Sequence, residues 1–207
     1  MEPMETRLFR LKSNAELQRI IASYCGYLGG AQFRSILCLF SNEQEDVRVE
    51  TPWGVYEGYE SLGRLYCGLL GRLFCGRTGE FLPGVFDAPG ANTPVIAVAE
   101  DGRTARGLWV SPGMLTLPDP EGPNGLRSCW RWMKLGADFI YENDSWKLWH
   151  IHYFPLFVTP FEQSWTEKND LFSSPLIRDC PPDRAGDPGA LPIPPEPYST
   201  FRPELAY

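Results

Sequence analysis

Two long stretches, 128–142 and 146–154, carry the strand pattern and meet at Asn143 and Asp144. Nothing else in the chain limits the fold as much. Side chains on a strand alternate between two faces, so this pairing reads as two long strands of one antiparallel sheet. Residues 94–100 and 103–111 read as a further pair, turned at Asp101-Gly102, a strong hairpin dipeptide. Residues 46–53 alternate as a shorter strand, and Gly54 and Gly58 punctuate a turn or hairpin around Val55 and Tyr56.

The N-terminal part follows a different period. Leu17, Ile20, Ile21, Tyr24, Tyr27 and Leu28 recur at steps of three and four, after a Ser13-Asn14 cap and before Gly29-Gly30. That pattern predicts a helix over 13–30. Phe33, Ile36, Leu37 and Phe40 predict a second short helix over 31–41. Leu62, Leu65, Tyr66, Leu69, Leu70 and Leu73 predict a third over 59–75, with internal glycines that permit close packing. Residues 77–93 and 118–127 read as loops. Residues 166–207 hold nine of the 20 prolines and read as an extended tail that wraps the surface or stays disordered. The expected fold is α+β: three N-terminal helices packed on a curved antiparallel sheet, with one short strand pair inserted before the third helix. Residues 1–165 form the domain and 166–207 the tail.

The length, 207 residues, fits one domain plus a tail, and 43% hydrophobic residues suffice for a core. Seven Trp within a 14% aromatic content must pack in a core or line an interface or pocket. A net charge of −7 sets the chain against phosphate backbones, so nucleic acid is not an expected partner. Six Cys form no C-x-x-C pair, and only two His are present, so no metal site is expected. Neither a signal-like apolar stretch nor a membrane-length apolar run is seen. The expectation is a cytoplasmic protein with reduced thiols and no membrane association.

Three runs carry a resemblance. They are Trp53–Gly58, Asp101–Trp109 and Tyr141–Leu148. In this order and spacing, over about residues 12–165, the chain resembles the SnoaL-like branch of the nuclear transport factor 2 superfamily. The resemblance implies a cone-shaped fold around a pocket. It does not single out an activity, because the fold hosts dehydratases, isomerases, cyclases, epoxide hydrolases and non-enzymes. Family dehydratases place a Tyr and an acid on the first helix, and a His early in the strand region. The Tyr position falls on Tyr24, the acid position on Gly29 and the His position on Asn92. A later acid falls near Gly113, and a basic residue near Pro155. Only the Tyr is kept, so any proton-transfer groups have moved.

His150 and His152 are two apart and share parity with Trp146, Leu148 and Phe154. The resemblance puts the Trp and the residue two after it inside the cone, which would bring both histidines into the pocket. Histidine suits acid–base work near neutral pH; the competing reading is a satisfied core or dimer-face His. Tyr24 is positioned to hold a developing oxyanion or to pack as a core aromatic. Asp138 and Glu50 are the carboxylates that fall within strands, with Asp138 facing solvent or a dimer partner on parity. Trp53, Tyr56, Trp109, Phe139 and Phe154 are expected as pocket walls, with Asn92 as an oxygen contact. Strand aromatics Trp130, Trp132, Trp149 and Tyr153 imply an outer-face patch and a homodimer. Three functions stay open. The first is a cofactor-independent lyase, isomerase or cyclase acting by proton transfer on a small hydrophobic oxygenated molecule, aromatic or polycyclic. The others are a non-catalytic binding or interaction module and a metal enzyme using both histidines.

Overall fold

The computed structural model describes residues 3–75, 82–167, 175–197 and 199–207. Parts of the expected loop (76–81) and of the expected tail (168–174 and 198) lie outside the described residues.

Helix α1 runs Met4–Gly29. Leu17, Ile21, Tyr24 and Leu28 form its buried stripe, as the spacing requires. Its start differs from the sequence expectation. Ser13 is buried within the helix rather than capping it, and the Asn14 side chain donates to the Arg10 carbonyl at 3.2 Å. The preceding turn is built of good helix formers and is docked by Phe9, whose ring meets Tyr141 edge-on at 5.7 Å. A short α2, Phe33–Leu37, follows. The third helical run continues over 59–75 in three parts: α3 (Tyr59–Gly63), a π-helical turn (Arg64–Leu70) and α4 (Gly71–Cys75). Such wide turns recur at functional sites. Among the described residues no helix is long and apolar enough to cross a membrane.

Among the described residues seven strands form one sheet. They are β1 (Arg48–Thr51), β2 (Gly54–Glu57), β3 (Asp87–Pro89), β4 (Asn92–Val98), β5 (Thr104–Pro118), β6 (Leu126–Glu142) and β7 (Ser145–Pro160). Their order is β2-β1-β7-β6-β5-β3, with β4 also paired to β5. The sheet is mixed rather than antiparallel, because β1 lies parallel to β7. Its long strands curve around α1 and the 59–75 run, and the main core fills the concave side: Leu17, Ile21, Tyr24, Leu62, Leu65, Tyr66, Trp109, Leu135, Phe139 and Leu148.

The turn at Asn143 and Asp144 lies where expected, both residues at positive φ (49° and 57°). The strand that follows breaks its own alternation. Phe139 pairs with Leu148 while Asp138 pairs with His150, leaving Trp149 as an extra residue. A bulge of this kind exchanges the faces of everything beyond it. A second bulge, at Leu156 between the Met133–Pro155 and Trp132–Phe157 pairs, exchanges them back.

The described residues beyond 175 lie against the domain. Asp183 and Arg184 exchange backbone hydrogen bonds with Val55 (2.8 and 2.9 Å) and so extend the β2 edge. Cys180 is buried, and its carbonyl accepts from the Tyr56 hydroxyl at 2.9 Å. A Cβ at Gly68 would stand 2.9 Å from the Cys180 sulfur, so the glycine in the π-helical turn allows this approach. The chain then crosses the convex face of the sheet. Tyr207 is buried there on Gly136, where any Cβ would fall 2.5 Å from its ring.

Candidate functional site

The concave side holds a cavity of about 90 Å³ bounded by α1, the 59–75 run and the inner face of the sheet. Most of its wall is apolar, including Leu28, Leu65, Leu70, Leu73, Phe74 and Met133. Two polar groupings interrupt that wall.

The first is a chain of phenols. Tyr24 reaches in from α1, Tyr66 from the π-helical turn and Tyr153 from β7. The Tyr24 hydroxyl is hydrogen-bonded to that of Tyr66 at 2.8 Å and, by a shorter contact, to that of Tyr153. Burial pushes the pKa of all three up, and their mutual proximity adds to this for Tyr24 and Tyr66. The phenols therefore stay protonated at neutral pH and act as donors or relays, since burial disfavours the phenolate.

The second is an ion pair. Arg131 on β6 grips Asp87 on β3 through both terminal nitrogens, at 3.0 and 2.5 Å, and each residue is about nine-tenths buried. Burial alone would depress the arginine's pKa, but the facing carboxylate outweighs it and the net shift is upward. The Arg131 Nε is also buried and has no hydrogen-bond partner among the described residues. Tyr153 links the two groupings: the Arg131 charge works against burial on its hydroxyl.

Of the residues expected from sequence, Tyr24 and Trp53 line this cavity. His150 and His152 do not. The bulge at Trp149 turns both onto the convex face, because two-residue parity holds only within an unbroken strand. There His150 Nδ1 lies 2.9 Å from Asp138 Oδ2, and His152 Nε2 lies 3.5 Å from Glu50 Oε1. Burial lowers the His152 pKa, partly offset by Glu50. Phe154 turns outward with them, stacked on His152 at 3.9 Å and meeting Tyr207 edge-on. Asp138 is fully buried beneath the tail rather than facing solvent. Trp109 and Phe139 meet edge-on in the core, and Tyr56 is buried toward Cys180; none of the three lines the cavity. Asn92 is exposed at the start of β4, too far along the strand to serve as the expected oxygen contact. The sequence reading missed Tyr66, Asp87 and Arg131 and assigned no inward role to Tyr153.

No family model matches the sequence, and no curated protein matches it. Solved structures do match in three dimensions. A type 2 hexachlorocyclohexane dehydrochlorinase (LinA) aligns with 82% of this chain and 98% of its own, with a TM-score of 0.60 and 14% identity. An NTF2-like protein with a cystatin-like fold from Novosphingobium aromaticivorans aligns with 75% of this chain and 92% of its own, with a TM-score of 0.53 and 16% identity. The chain has the NTF2-like fold. A type 3 LinA dehydrochlorinase from Novosphingobium barchaimii has the same NTF2-like shape, with a TM-score of 0.58, 15% identity, and coverage of 76% and 96%. At these identities the likeness concerns the fold. In this NTF2-like cone the polar residues lining the cavity are phenols, two threonines and one arginine–aspartate pair.

Proposed function

We propose that this chain is a cofactor-independent enzyme that moves a proton on a compact, hydrophobic, oxygen-bearing molecule held in the concave cavity. One observation carries the reading: three linked phenols stand beside a buried Arg131–Asp87 pair within an otherwise apolar wall. Polar groups of different chemistry converging in a dry pocket are what acid–base catalysis requires. In this reading Asp87 accepts a proton from carbon and Arg131 holds the carboxylate in place. The Tyr24–Tyr153 hydroxyls then hydrogen-bond the substrate oxygen as charge develops on it. Neighbouring structures named dehydrochlorinases are in keeping with such chemistry. A volume of about 90 Å³ is below the ~150 Å³ known to admit benzene. This favours substrates of one ring or less and entry by movement of the lining, and it argues against the polycyclic substrates allowed by sequence.

The test is turnover in D₂O of small ketones, alcohols and phenols, followed by NMR for deuterium uptake at carbon or loss of water. Turnover of a compact member, reduced about 10²–10⁴-fold by Asp87→Asn, is the expected result. Binding without turnover across the set would favour a second reading, a non-catalytic small-molecule module. The small volume supports that alternative.

We also propose that residues 1–165 constitute the folding unit and 166–207 a separate tail, whose described residues beyond 175 strap across it. A homodimer formed through the uncovered part of the convex face is proposed as well. Trp130, Trp132, Phe161 and Trp165 are all exposed there (41%, 44%, 60% and 68%), with stacked Trp130–Phe161 and Trp132–Phe157 pairs. A patch of this kind marks an interface. Light scattering should give a dimer mass that falls to the monomer value in Trp132→Glu; a monomer for the unaltered protein removes this proposal. Six unpaired cysteines support a reducing compartment such as the cytoplasm.

A further inference from the structure

We infer that the cavity selects a ligand whose oxygen is a bare hydrogen-bond acceptor, as in a small ketone or an enolate, over one that brings its own donor. This inference rests on the cavity being the binding site. The argument is a count of hydrogens. Tyr24, Tyr66 and Tyr153 carry three O–H groups, and two hydrogen bonds link them. Each bond uses one hydrogen. Whichever way the chain of bonds runs, one O–H is left without an acceptor among the described residues. Arg131 carries five N–H groups; it spends one from each terminal nitrogen on Asp87, and its buried Nε–H has no acceptor among the described residues.

The remaining polar groups on the wall are engaged. The Thr116 hydroxyl donates to the Gly84 carbonyl at 3.0 Å. That of Thr51 donates to the Gly54 carbonyl and accepts from the Trp53 backbone. Both Asp87 oxygens receive Arg131. The wall therefore has hydrogens to spare on one phenol and on the Arg131 guanidinium, and its spare donors call for an acceptor. An unmet buried donor carries its full desolvation cost, so a carbonyl oxygen that reaches the spare phenol O–H or the guanidinium relieves it.

Three five-membered-ring probes separate the cases. Cyclopentanone offers only an acceptor, methylenecyclopentane replaces its oxygen with CH₂ at nearly the same shape, and pyrrole offers only a donor. Titration of the full-length protein, followed by NMR, should show the ketone binding at least about tenfold more tightly than the other two. The bound ketone's C=O stretch should move to lower frequency. Arg131→Lys, which keeps the charge but replaces three spare N–H groups with one, should reduce the preference and the frequency shift. Equal binding of ketone and methylenecyclopentane, tighter binding of pyrrole, or no binding of any probe overturns the inference. A ketone that binds with the expected preference but never exchanges its α-hydrogens counts against the proton-transfer reading alone and leaves this one standing.

Discussion

Both faces of the sheet carry buried polar groups, and they use them differently. On the convex face Asp138 is hydrogen-bonded to His150, to the Tyr207 backbone N–H and to Arg106. Glu50 accepts from the Asp187 backbone at 2.8 Å and faces His152. The chain's own C-terminal segment lies across them and leaves clefts beside His152 and Glu50, and the buried His150 Nε2 has no hydrogen-bond partner among the described residues. On the concave face the phenols and Arg131 keep donors unspent and border a void. The contrast shows that titratable residues mark a site poorly by themselves. Carboxylates engaged by the tail's own backbone make a latch, whereas spare donors set in an apolar cavity wall make a binding site.

The largest effect that would sharpen this comparison lies on the concave side. Arg131→Met leaves Asp87 buried without its partner, and a broken buried pair costs about 3–5 kcal/mol. Urea unfolding should show that loss, and Arg131→Met with Asp87→Leu should restore most of it. If the single variant unfolds like the unaltered protein, the pair is not structural. Next in size, Asp138→Asn on the convex face should cost about 1–3 kcal/mol and speed proteolysis of residues 187–207, without lowering turnover in the cavity. Lost turnover in a folded Asp138→Asn protein would mean that the two faces are not separate. The smallest effect is a pH dependence. His152 is held below its ordinary pKa, so the unfolded chain binds its proton more readily than the folded one. Its contribution is therefore complete above about pH 6.5 and is lost as pH falls below that value. Replacing it with Gln should flatten the stability curve between about pH 5 and 6.5, by no more than one proton's slope of ~1.4 kcal/mol per pH unit. An unchanged curve would show that His152 titrates freely.

Much of the architecture could be read from spacing alone. The α1 stripe, the 59–75 run, the Asp101-Gly102 turn and the long β6–β7 hairpin all follow from periodicity. The site was harder to read, for reasons that particular residues make plain. The histidines were placed inward by a parity that one inserted residue at Trp149 reversed. Bulges leave little mark on composition. Trp130 and Trp132 are expected on the outer face and lie exposed there, so parity turns Arg131 between them inward. An inward charge is costly without a partner, and Asp87 on the concave side receives the guanidinium. Asp87 itself sits in a stretch whose Gly and Pro content reads as loop. The tail's path was equally hidden, since its anchors are single contacts such as Tyr207 on Gly136 rather than a repeating pattern.

The parallel pairing of β1 with β7 sets a schedule for synthesis. β1 and β2 emerge early, yet the strand that joins them to the rest of the sheet arrives about a hundred residues later. A lone two-stranded hairpin is marginal in water, and contacts between distant parts of a chain form slowly. On the ribosome, the apolar stripe of α1 and the early hairpin must therefore wait, uncovered, for the last strand. The nascent chain is most exposed to misassociation and chaperone capture in that interval, before Tyr153 has met Tyr24.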